Sequence, residues 1–176
     1  QVNLMESDSF QIGQDIVCGF LGAGNYASRV LIPAFKRADV RLETLVTSGG
    51  LSSRIHGKKN GFYIGSSNEA AVLDSETINT VVIATRHNLH ADQVINALKK
   101  NKNVFVEKPL AITLDQIDRI ETTYNSLKSE KPRLMVGFNR RFSPYISKIK
   151  SLLINQLNPK IFVMTVNAGD IPKNHW

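Results

Sequence analysis

Chemistry in this chain starts at Gly22-Ala23-Gly24-Asn25-Tyr26-Ala27. The spacing fits G-x-G-x-x-(G/A), a turn that brings backbone amides up to a pyrophosphate. Gly22 permits the tight turn, Gly24 lets the backbone approach the phosphates, and Ala27 keeps a helix close to a strand. The start of that helix offers free amides and partial positive charge to an anion. A glycine-rich turn without a ligand, or one that takes S-adenosylmethionine, is the alternative. Glu107-Lys108-Pro109 forms a second group. A lysine at a strand end, beside a cationic nicotinamide, is placed to polarise a carbonyl or to move a proton. Thr85-Arg86-His87-Asn88-Leu89-His90 is the third. Its histidines suit helix capping and cofactor contact. No Cys or carboxylate cluster beyond Asp92 supports a metal, so none is expected. In the fourth, Gly137-Phe138-Asn139-Arg140-Arg141-Phe142, the paired arginines suit a substrate carboxylate or phosphate, or ion pairs at a domain junction.

Cofactor choice turns on the end of the second strand. An acid there binds the 2′-hydroxyl of NAD, and a basic residue suits the 2′-phosphate of NADP. The nearby acid, Glu43, lies at the strand's start. The strand's end reads Thr47-Ser48-Gly49-Gly50, followed by Ser52, Ser53 and Arg54. Hydroxyls with an arginine suit a phosphate. The reading is NAD or NADP, with NADP slightly favoured. Arg54 reads equally well as a plain surface residue.

Short apolar runs alternate with amphipathic stretches, and this pattern positions the groups. Strands are expected at 16–21, 42–47, 62–64, 80–85, 103–107 and 133–138. Helices are expected at 25–38, 67–74, 90–100, 113–127 and 143–157. Pro33 should kink the first helix, because it lacks an amide hydrogen. Residues 48–60 read as a Gly/Ser/Lys-rich loop with room for a short helix. Thr113 and Gln116 form a capping box, and Ser143-Pro144 reads as a cap and first helical residue. The run TVVIAT at 80–85 has apolar residues on both faces, as in the middle of a covered parallel sheet. Alternation of this kind gives an α/β fold: a doubly wound parallel sheet of the Rossmann type, with right-handed crossovers. Residues 1–14 read as a linker, 15–140 as the nucleotide-binding domain, and 141–176 as the start of a truncated second α/β domain. A last strand is expected at 161–168, without its partners.

Composition narrows the classes further. The chain has 176 residues, 42% of them hydrophobic, which suits a soluble globular protein rather than a disordered one. No apolar run approaches the about 18 residues of a membrane span. Gln1–Gln14 lacks the basic and apolar regions of a secretory signal. Cys18 is the only cysteine, so no internal disulfide forms, and a cytoplasmic location is expected. The formal net charge is +7, which favours an anionic partner. The basic residues are scattered and make no stripe with aromatics, so nucleic acid is not the expected partner.

The four groups together resemble the glucose–fructose oxidoreductase / inositol dehydrogenase (Gfo/Idh/MocA) family. The resemblance rests on Gly22 to Ala27, Thr85 to His90, Val104 to Pro109 and Gly137 to Phe142. With Ser48-Gly49-Gly50 and Val166 to Pro172, it also resembles a branch from bacterial polysaccharide gene clusters. There this module often follows a zinc-type alcohol dehydrogenase module in one longer chain. The resemblance implies NAD or NADP bound at Gly22, Gly24, Asn25, Tyr26, Ala27, Ser48, Arg54, Thr85, Arg86, His87, His90, Glu107 and Lys108. It implies hydride transfer to or from a sugar or sugar-like compound, with Lys108 in catalysis. Arg140 and Arg141 would face the substrate. Where many members have Thr-Pro-Asn, this chain has Thr85-Arg86-His87. The family's acid–base histidine would come from a later segment beyond Trp176, so this piece is expected to bind cofactor but turn over little. The resemblance also implies a homo-oligomer. A non-catalytic nucleotide-binding sensor is the alternative.

Overall fold

The computed structural model describes residues 1–5, 16–128, 130–165, 167 and 169–170. Two compact units divide the chain, Gln1–Phe138 and Asn139–Trp176.

In the first unit the strands are β1 (Val2–Asn3), β2 (Val17–Leu21), β3 (Arg41–Val46), β4 (Ile64–Ser66), β5 (Thr80–Ile83), β6 (Asn103–Glu107) and β7 (Leu134–Gly137). They form one sheet in the order β1-β4-β3-β2-β5-β6-β7. Every pairing from β4 to β7 is parallel. β2 is buried at every residue, and Val81, Val82 and Ile83 of β5 are fully buried. Both are central strands covered on two faces, which accounts for their unbroken apolar runs. Side chains alternate across β2. Val17 and Leu21 pack with Val72, Val94, Leu98 and Ile120, whereas Cys18 and Phe20 pack with Leu31, Ile32, Leu45 and Phe62. Phe20 meets Phe35 and Phe62 edge to face at 5.3 and 5.4 Å. Helices on both faces make the sheet doubly wound.

The first crossover differs from a simple proline kink. Ala27–Leu31 is a π-helical turn, in which the Ile32 amide donates to the Ala27 carbonyl five residues back. α1 (Ile32–Arg37) then begins with Pro33 in its first turn. There its missing amide hydrogen costs little.

Residues 48–60, read as a loop with room for a short helix, are mostly helix: α2 spans Gly50–Asn60. This helix buries Ser53 and Gly57 rather than an apolar stripe. A Cβ at Gly57 would lie 2.5 Å from Leu4 Cδ1, so the absent side chain allows that contact. Gly61 closes α2 in the left-handed conformation, its amide donating to the Gly57 carbonyl. Of residues 1–14, expected as a linker, the structure describes residues 1–5. Val2 and Asn3 pair antiparallel with Gly65 and Ile64, and the Leu4 amide donates to the Tyr63 carbonyl. This backbone pairing and the packing of Leu4 fix a segment whose polar composition pointed to a linker. Residues 6–14 lie outside the described residues.

α3 (Ala70–Leu73), α4 (His87–Lys99) and α5 (Leu114–Ser126) complete the unit. The Thr113 cap of α5 forms as expected, while Gln116 reaches back one residue further, to the Ile112 amide. Thr113 Oγ1 accepts from the Gln116 amide at 3.2 Å, and Gln116 Oε1 accepts from the Ile112 amide at 2.8 Å.

In the second unit, a 3-10 turn (Asn139–Phe142) leads into α6 (Pro144–Leu153). Ser143 caps α6 by accepting from the Ile146 amide. The helix ends before the expected Leu157. The strand expected at 161–168 is absent from residues 161–165, and residues 166 and 168 lie outside the described residues. A strand needs a ladder partner, and the described residues of this unit supply none.

Candidate functional site

Strand order reverses at β2: the chain moves outward through β3 and β4, then returns to place β5 on the other side of β2. Ligands of open α/β sheets bind beyond the carboxyl ends of the strands at such a switch point. Hydrogen bonds hold these ends flush. The Gly22 amide donates to the Val46 carbonyl at 2.8 Å, Ala84 to Leu21 at 2.8 Å, and Thr47 to Ser66 at 3.1 Å. Gly22 has φ of +98°, and a Cβ there would lie 2.4 Å from the Ala84 carbonyl oxygen. Only glycine fits both the conformation and the space. Gly24 has open space where a Cβ would project.

Above these ends lies a cleft of about 710 Å³. Gly22, Ala23 and Gly24 form one wall, with Ser48 and Ser52 beyond β3 and Thr85 and Arg86 beyond β5. The arrangement fits an extended dinucleotide: a backbone cradle in the middle, hydroxyls at one end and an arginine at the other. Glu43, the acid near β3, is held at the strand's start by Arg41 Nε at 2.7 Å.

Lys108 sits at the next strand end, after β6, and its side chain is exposed. The Lys108–Pro109 peptide is cis. Glu107 beside it has a buried Oε1 with no hydrogen-bond partner. A Cβ at Gly137 would lie 2.8 Å from that oxygen. Burial pushes the Glu107 carboxyl above its ordinary range, while the Lys108 amide and the charges of Lys108 and His90 pull it back. His87 is held below its ordinary value by desolvation first, then by His90 and Lys108. The two imidazoles meet edge to face at 5.6 Å.

Of the residues picked out from sequence, Gly22, Gly24, Ser48, Thr85 and Arg86 line the cleft. Asn25, Tyr26, Ala27, Arg54, His87, His90, Glu107 and Lys108 do not. Ala27 is buried, as its packing role requires. Arg54 lies exposed on α2. His90, read as a cofactor contact, is instead fully buried. Its place on α4 explains this: Ala91, Val94, Ile95 and Leu98 lie on the same buried side. That helical spacing was the available signal. Arg140 and Arg141 lie exposed in the second unit, where the Arg141 guanidinium stands 5.4 Å from the Phe142 ring centroid.

Two residues escaped the sequence reading. Thr85 Oγ1 donates to Gln93 Oε1, and Gln93 Nε2 donates to Glu69 Oε1, both at 2.6 Å. Glu69 lines the cleft, and Gln93 ties it to Thr85 from the protein interior. No motif marks this relay. The other polar signals lead elsewhere: the Cys18 thiol is pushed up to about 12 by burial. Among the described residues, no group of three or more His, Cys, Asp or Glu could hold a metal ion. None of their helices is long and apolar enough to cross a membrane.

A parallel sheet with a glycine turn at its switch point defines a dinucleotide-fold domain. The chain belongs to the Gfo/Idh/MocA family, an oxidoreductase family with an NAD-binding Rossmann fold, whose model matches residues 16–138. It is 33% identical to a myo-inositol 2-dehydrogenase of Thermotoga maritima over 100 residues, 56% of this chain and 29% of that protein. It is 27% identical to an inositol 2-dehydrogenase of Rhizobium meliloti over 152 residues, 86% of this chain and 44% of that protein. A levoglucosan dehydrogenase, solved with NADH and levoglucosan, superposes with a TM-score of 0.70 at 22% identity, over 80% of this chain and 40% of that one. At that identity the likeness speaks for the fold. The chain spans less than half the length of each of these proteins.

Proposed function

We propose that this chain is the cofactor-binding part of a dehydrogenase that acts on a sugar or cyclitol hydroxyl, or on the matching carbonyl. The Gly22–Gly24 turn at the β2/β5 switch point, with an exposed lysine one strand further on, carries the reading. Gly22 and Gly24 would cradle the pyrophosphate. Ser48 and Ser52 would bind the adenosine ribose, and Thr85 and Arg86 would hold the opposite end. The dinucleotide, when bound, supplies the hydride donor or acceptor. Lys108 would hydrogen-bond the reacting oxygen and move its proton. Polyols are the favoured substrates because the relatives are named for inositol.

NADP is the slightly favoured cofactor. Hydroxyls stand at the end of β3, and its one acid, Glu43, is engaged by Arg41 at the other end. Arg54 is exposed on α2 and does not line the cleft.

Replacement of Lys108 by Met in the full-length chain tests the enzyme reading. Turnover of a polyol should fall on the order of a hundredfold or more, the usual share of a proton-transfer group. NADH affinity should stay within about twofold, since Lys108 does not line the cleft. Unchanged turnover would favour the nucleotide-sensing alternative.

A further inference from the structure

His90 is fully buried, yet it carries polar atoms that an apolar core residue would not. Its neighbours on α4 include Ala91, Val94 and Ile95, so an aliphatic side chain would suit the packing. Burying an imidazole is costly unless its nitrogens find partners. Nδ1 lies 2.7 Å from the Pro109 carbonyl oxygen, and Nε2 lies 3.2 Å from the Thr85 carbonyl oxygen. Pro109 directly follows Lys108, and Thr85 lines the cleft. The ring therefore stands between the lysine turn and the cleft loop. A carbonyl only accepts, and a neutral imidazole has a single N–H. Of the two contacts the one at Nδ1 is the shorter, so the proposal puts an N–H there.

We propose that His90 is a positioning residue for Lys108: its Nδ1–H holds the Pro109 carbonyl and fixes the turn that carries the lysine. His90 itself does not line the cleft. The inference rests on the proposed role of Lys108 and deepens it. With the Pro109 carbonyl released, the exposed lysine would sample positions away from the reacting oxygen, and misplacement on the order of 1 Å is enough to slow a reaction markedly.

Two substitutions separate this role from simple core packing. Asparagine puts its amide nitrogen near the place of Nδ1, and glutamine puts its own near the place of Nε2. The full-length chain carrying His90→Asn or His90→Gln is assayed for NADH formation with myo-inositol and levoglucosan, and for amide exchange at Lys108 and Leu110. In His90→Gln, exchange should quicken about fivefold, the loss of one ordinary hydrogen bond. Its kcat should fall about tenfold while KM and NADH affinity hold. His90→Asn should restore both. Equal impairment or equal health of the two variants overturns the proposal. If neither variant folds, the imidazole nitrogen spectrum of the wild-type chain decides: a protonated Nδ1 supports the proposal, and a bare Nδ1 overturns it. Full turnover by Lys108→Met would instead sink the reading of Lys108, even where exchange follows His90.

Discussion

Gly22 and Gly24 lie two residues apart, and the structure separates their roles by the cost of adding one methyl group to each. In Gly22→Ala the new Cβ sits 2.4 Å from the Ala84 carbonyl oxygen and 2.7 Å from its carbon, at φ of +98°. Ala84 is backbone at the end of a central strand and cannot rotate away. Left-handed strain costs about 1–3 kcal/mol, and overpacking costs a similar amount. A loss of about 3 kcal/mol lowers Tm by about 6–12 °C in a domain of this size. In Gly24→Ala the Cβ meets nothing within 4 Å and the backbone is ordinary. Stability should hold or rise by about 0.4–1 kcal/mol through the unfolded state. The same methyl projects into the cleft, where backbone must approach a phosphate. Loss of one charged hydrogen bond, about 1.5–3 kcal/mol, weakens dinucleotide binding on the order of tenfold to a hundredfold. Thermal unfolding by circular dichroism reads the first effect and calorimetry the second. A Gly22→Ala protein that melts with the wild type refutes the strain argument. A Gly24→Ala protein that binds NADH like the wild type refutes the close approach.

Other residues give sharper or simpler tests. Gln93→Leu strands the Thr85 hydroxyl and removes a donor from Glu69, so Tm should fall by about 2–8 °C, with a parallel loss of NADH affinity. Thr113→Ala removes the α5 cap at a cost of about 1 kcal/mol, read as a Tm about 2–4 °C lower. Glu107 has its carboxyl pushed up by burial, so the folded state holds its proton to higher pH than the unfolded state. That contribution is present below the unfolded value and is lost as pH rises through the folded one. Glu107→Gln should therefore gain stability over the wild type at neutral pH and lose that advantage in acid. A gap in Tm that ignores pH contradicts the assignment.

Most of the first unit was legible because its signals are local. The β-branched run at Val81–Ile83 marks a covered strand, and the glycine spacing marks the turn that Gly22 occupies at φ of +98°. The cap at Thr113 needs only a neighbour three residues away. What was missed depends on tertiary contact. α2 packs through Ser53 and Gly57, where small size replaces an apolar stripe and so leaves no periodic signal. β1 is two residues long and exists because β4 offers it an edge. Gln93 acts only because the fold brings Glu69 and Thr85 to its two ends. His90 was legible in place but not in role. Helical spacing puts it on the buried side of α4, while its partner Pro109 comes from a strand end nineteen positions on.

A calorimetric titration of this chain with NADH and then NADPH tests the central claim most directly. The account predicts saturable binding of at least one, weakened on the order of tenfold to a hundredfold in Gly24→Ala, with NADPH the tighter of the two. A folded sample that takes up neither would contradict it and leave the glycine turn a structural feature of the sheet.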